Sequence, residues 1–246
     1  MSYQGGCGYS QPSMSYMSAA PQGAMYSSSY QPSADSTYMT NLTMEEPSVL
    51  YFSPAEFLDP TRPPVENITE ENKGAVMSII RETFQHRTGE DFPENKIIIS
   101  IGSKETLKEW HNVAGGAWSE GIQGFALNSN NNQPHRIFVK EGPKDQMLLT
   151  LGHEIGHVMT PTLENEHDEE AKAFAFSIAW MQTIIEHDIA GLSSFLNPQP
   201  AMNGLHNVAY GFVQTLIQNG KTAMQAFVDI VNKTASCKQQ PEVITI

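Results

Sequence analysis

Cysteine, long apolar runs and basic charge are all scarce in this chain, and each scarcity excludes something. Its two cysteines, Cys7 and Cys237, stand near opposite ends of 246 residues, which leaves no disulfide framework. No stretch approaches the roughly 18 apolar residues that cross a bilayer, so no membrane partner is expected. The N-terminus lacks the basic and apolar regions of a secretory signal. The Asn-x-Thr triplets at Asn41, Asn67 and Asn232 therefore read as chance, and a cytoplasmic location is expected. Lys and Arg number 14 against 27 Asp and Glu, a net charge of −13. Nucleic-acid binders carry a basic patch or stripe, so no nucleic-acid partner is expected.

Charge is scarcest in residues 1–46, which hold only Asp35, Glu45 and Glu46, with six of the eight tyrosines, six of the twelve methionines and ten serines. With few aliphatic side chains to offset its ordering entropy, this segment reads as a disordered tail. Its spaced tyrosines could serve as weak self-association contacts. Cys7 could instead cap a metal site, since thiolate binds zinc well. Residues 47–235 read as a folded domain beginning near Val49, and 236–246 as a C-terminal tail.

Within the domain, Asn67 and Glu70 have capping-box spacing, followed by Val76, Ile79, Ile80 and Phe84 at helical period and a stop at Gly89. Lys96–Ile101 is a β-branched strand, and Ser103 caps a short helix with Leu107 and Trp110. Ile122–Leu127 and Arg136–Lys140 read as a hairpin with a longer loop. Helices are expected from about Lys144 to Thr160, Asp168 to Glu186, Val208 to Ile217 and Ala223 to Val231. The fold class is α+β, a small mixed or antiparallel sheet packed on helices.

The helix from Lys144 carries His153-Glu154-Ile155-Gly156-His157, an H-E-x-x-H motif. Four residues advance about 400°, so the two histidines point the same way, about 6 Å apart along the axis. Two imidazoles so placed can close on one zinc ion at about 2.1 Å. Glu154 beside them can take a proton from metal-activated water as general base. With 8 His and 20 Glu in the chain, chance supplies only roughly 0.02 copies of this motif.

A catalytic zinc takes three protein ligands and keeps one position open. Candidates for the third are Glu164, Glu166, His167, Asp168, Glu169 and Glu170. Ala171, Phe174, Ala175 and Ile178 form an apolar face, and stepping back three or four residues reaches Asp168 and His167. Lys172 is expected to face water, which turns Glu169 away from the core. Glu170, four residues before Phe174, stays open. His167 would give a three-histidine site.

Gly121-Ile122-Gln123-Gly124-Phe125, Arg136-Ile137-Phe138-Val139, Leu149 through His157 and Asp168-Glu169-Glu170-Ala171-Lys172-Ala173-Phe174-Ala175 together resemble the core of the ImmA/IrrE metallopeptidases, compact gluzincins. The similarity covers about residues 95–185. It implies that the first acidic residue of the second motif, Asp168, is the third ligand. Asp here stands where that family has Glu, and the loop between the motifs is shorter.

The expected function is zinc-dependent peptidase action on a protein or peptide substrate, with His153, His157 and Asp168 holding Zn2+ and Glu154 as base. A substrate would add as a strand to the edge Ile122–Leu127, and His206 or Tyr210 could supply an oxyanion donor. His111 and His135 are expected to be loop or strand-end residues. The rival reading is a zinc-stabilised binding or regulatory protein without turnover.

Overall fold

The computed structural model describes residues 13–14, 52–129, 133–200 and 208–237. The rest of the 1–46 tail, including Cys7, lies outside the described residues. Six strands and six helices of the α+β class are seen among the described residues. They are β1 (Ser13–Met14), β2 (Asn67–Ile68), α1 (Gly74–Thr88), β3 (Ile97–Gly102), α2 (Lys104–Val113), β4 (Gly124–Asn128) and β5 (His135–Lys140). These are followed by β6 (Gly142–Pro143), α3 (Lys144–Val158), α4 (Glu166–Glu186), α5 (Val208–Gln218) and α6 (Ala223–Val231).

The main sheet has the order β1-β4-β5-β3. β3 and β5 are parallel, whereas β4 pairs antiparallel with β5 as the expected hairpin. Period-two alternation divides the sheet's apolar residues between two layers. Ile97, Ile99, Ile101, Ala126, Ile137 and Val139 join the large core, while Phe125, Leu127 and Phe138 pack with Leu107 and Ile122. β4 is the strand that was expected to be an open edge. Its outer side pairs with β1, Ser13 opposite Asn128 and Met14 opposite Leu127.

One expected helix start is displaced. Asn67 and Ile68 pair with Pro143 and Gly142, so this stretch is tied to a second small sheet. Helix α1 begins only at Gly74 and ends, as expected, at Gly89 in the left-handed region with φ 78°. Asn72 accepts from the Thr69 amide at 2.7 Å.

Helix α3 is buried from Met147 to Val158, which fits a sequence that is apolar on nearly every side. It lies between the sheet and α4. Gly156 meets Ala173 and Phe176, and Gly152 meets Trp180, so α3 and α4 run antiparallel. Arg62 pairs with the buried Asp145 in the first turn of α3, which anchors that helix to the segment preceding α1. Helix α4 also carries α6, with Phe176 packed against Phe227.

Candidate metal centre

His153 and His157 lie one turn apart on α3, their ring planes at 85° and centroids 5.0 Å apart. Facing them from the start of the second turn of α4 is Glu170. Its Oε2 stands 3.5 Å from His153 Nε2 and its Oε1 3.7 Å from His157 Nε2. One ligand atom from each of the three falls within 4.8 Å of the others, and this group could hold a metal ion. Bonds of about 2.1 Å in a tetrahedral site put ligand atoms about 3.4 Å apart. The two Glu170–histidine separations lie close to this value. His153 Nδ1 and Nε2 are buried with no hydrogen-bond partner, a costly state that coordination would relieve.

Asp168 is not in this group. Its Oδ1 accepts from the Cys237 amide at 2.7 Å and its Oδ2 from Ser236 Oγ at 2.8 Å. The reason is helical phase. The contact between the helices centres on Ala173, against Gly156, and three or four residues back from Ala173 lie Glu170 and Glu169. Asp168 is about 200° around the helix from Glu170. His167 is exposed. Cys237, beside Asp168, has its thiol pushed up to about 12 by burial and by the Asp168 charge.

Lys172 departs furthest from expectation, being fully buried. The face assigned to water is covered by the 159–165 loop, and Nζ reaches the carbonyls of His157 at 3.0 Å and Pro161 at 3.4 Å. It also pairs with Glu169 Oε2 at 2.9 Å. Glu169 is therefore drawn inward, with its Oε1 2.8 Å from His157 Nδ1. Sequence reasoning missed this pair, although one signal was present. Lys172 is embedded in a run, Ala171 to Trp180, that is apolar around the whole helix, and such helices are buried.

Glu154 is 2% exposed, and its Oε2 has no hydrogen-bond partner. Burial pushes its carboxyl up to about 8, with the nearby His157 opposing and Glu170 adding to the shift. Burial lowers His153. For His157 burial also acts downward, but the Glu169 hydrogen bond and the Glu170 and Glu154 charges outweigh it, and the net shift is upward. Phe52 stacks on the His153 ring at 4.4 Å, and Phe174 meets it edge-on at 4.9 Å.

Tyr210 joins this aromatic group through Phe57 and Phe174, and its hydroxyl donates to the Pro198 carbonyl at 3.2 Å. His206 lies outside the described residues. His135 begins β5, as expected, and its Nδ1 accepts from the Ser129 amide at 3.1 Å. His111, expected in a loop or at a strand end, is instead buried in the last turn of α2, edge-on to Phe125 at 5.0 Å. Beyond the second histidine, a cavity of about 320 Å³ is lined by Asn128, His135, Met159 and Pro161 among others.

Among the described residues no helix is long and apolar enough to cross a membrane. Comparison with protein-family models, curated proteins and solved structures returns no match.

Proposed function

We propose that the chain is a zinc-dependent metallopeptidase of compact gluzincin type, with His153, His157 and Glu170 as ligands. One observation carries this reading: the buried, unpartnered Glu154 carboxylate oxygen beside a three-residue donor set. Two imidazoles and a carboxylate are a catalytic zinc set, whereas structural zinc sites rely on Cys and His and fill all four positions. Bound zinc would lower the pKa of a coordinated water to about 7 and polarise a substrate carbonyl.

Glu154 follows His153 directly in α3, and its carboxyl is near enough to His157 and Glu170 to feel both charges. Its role is to accept a proton at Oε2 and return it to the leaving amine. Its upward shift applies to the metal-free protein, and a nearby dication favours the ionised form that a base requires. Phe52 and Phe174 pack on His153, and both histidines are buried, so charges beside them act strongly. A peptide substrate aligning with β4 would take the position of Ser13–Met14.

The test compares wild type, Glu154→Gln and His153→Ala for zinc content and for cleavage of a proteome-derived peptide library. Glu154→Gln should keep about one zinc and lose cleavage by at least 100-fold. Full cleavage by metal-loaded Glu154→Gln, or retained zinc in His153→Ala, would sink the reading.

A second reading draws on the complete burial of both histidines: a metal-stabilised binding protein without turnover. Cleavage products absent from every digest of zinc-loaded wild type would favour it.

A further inference from the structure

We infer that Glu169 and Lys172 are a positioning pair for His157, fixing which ring nitrogen faces the metal. This rests on the metal-centre reading above and assigns two residues that reading does not use. The Lys172 ammonium has three hydrogens, and three acceptors surround it: Glu169 Oε2 at 2.9 Å, the His157 carbonyl at 3.0 Å and the Pro161 carbonyl at 3.4 Å. None is left to give to a substrate. Lys172 thus grips His157 twice, at its carbonyl and, through Glu169, at its ring.

Glu169 is held just as fully. Its Oε2 also accepts from the Leu163 amide at 2.7 Å, and its Oε1 is left for His157 Nδ1 at 2.8 Å. A carboxylate there accepts the Nδ1 hydrogen, so Nε2 carries the lone pair that points toward Glu170 Oε1. Carboxylates behind metal-binding histidines commonly set the tautomer and basicity in this way. His153 has no such support. Among the described residues its Nδ1 has no hydrogen-bond partner, and behind the ring stand aromatic groups, Phe52 on its face and Phe174 at its edge. One ligand is oriented by charge and the other by packing. Lys172 balances the carboxylate charge that orients His157 where water cannot reach.

The test uses Glu169→Gln/Lys172→Met, which removes the two charges together and keeps side-chain length. Zinc Kd is measured by chelator competition, and the visible spectrum of the Co(II)-loaded protein reports ligand geometry. The double variant should fold, bind zinc about 10- to 100-fold more weakly and show an altered Co(II) spectrum. Wild-type Kd and spectrum in the folded double variant would overturn the inference. A second measurement needs no variant: nitrogen-15 NMR of the metal-free wild type, at a pH where the ring is neutral, should show His157 protonated at Nδ1. Protonation at Nε2 would overturn the inference and leave the metal centre standing. Failure of the wild type to bind zinc or Co(II) would overturn both.

Discussion

Gly156 lies so close to Ala173 that a Cβ at position 156 would stand 2.9 Å from the Ala173 Cα and 3.0 Å from its carbonyl oxygen. Both neighbouring atoms are backbone, so a side chain there must push α3 and α4 apart. The same spacing sets how far Glu170 stands from the two histidines. Gly156→Ala is expected to cost about 1–3 kcal/mol through overpacking and to weaken zinc binding as well. Chemical denaturation and metal titration of the same sample check this. Loss of stability with unchanged zinc affinity would show that the spacing does not control the site.

Asp168 and Glu170 should separate cleanly. Asp168→Asn is expected to keep zinc stoichiometry near that of wild type. It weakens the hold on Ser236 and Cys237 by about 1.5–3 kcal/mol, as for hydrogen bonds to a charged group. Glu170→Gln should lose zinc while keeping its helices by circular dichroism. Metal analysis of the two purified variants decides, and zinc lost from Asp168→Asn but kept in Glu170→Gln would reverse the assignment.

Metal removal should be read in stability. A ligand at 100 times its Kd adds about 2.7 kcal/mol, and about 1 kcal/mol moves the melting temperature of a domain this size by about 2–4 °C. Chelation is therefore expected to lower the melting temperature of the zinc-loaded protein by about 5–10 °C. His157→Ala should show no such drop. An unchanged melting temperature on chelating loaded wild type would contradict a bound metal.

His111 gives a pH dependence away from the metal. It is 1% exposed, and burial holds its pKa below the ordinary value. As pH falls through about 6.5 the unfolded chain takes up a proton that the folded ring resists, so stability declines until the lower folded pKa is reached. His111→Leu should reduce this acid loss by up to about 1.4 kcal/mol per pH unit. Urea denaturation at about pH 7.5 and about pH 5 measures the difference, and parallel losses in the two proteins would refute it.

Much of the fold was legible because local signals agreed with tertiary ones. The Val76–Phe84 repeat and Gly89 define α1, and Ser103 caps α2 by accepting from the Thr106 amide at 3.2 Å. His153 and His157 share a face because the helix period puts them there, with Glu154 next to them in the chain. The third ligand was harder, because it depends on where two helices touch. Counting back from Ala171 reaches Asp168 and His167, and the family resemblance favours Asp168, while counting back from Ala173, where Gly156 lets the backbones meet, reaches Glu170 and Glu169. Lys172 misled by its charge alone. A side chain with three carbonyl and carboxylate acceptors can be buried, and nothing local to residue 172 announces acceptors supplied by residues 157 and 161.

The pairing of Ser13–Met14 with β4 has a consequence for colloidal behaviour. Phe125, Ala126 and Leu127 are apolar, and β4 carries neither the lysine nor the proline that commonly blunts an exposed strand against addition of another molecule. Ser13 and Met14 cover the Leu127–Asn128 end of this rim. Protein lacking residues 1–46 is accordingly expected to polymerise rim to rim, visible as faster-sedimenting species. On this expectation the Ser13–Met14 pairing acts against rim-to-rim association.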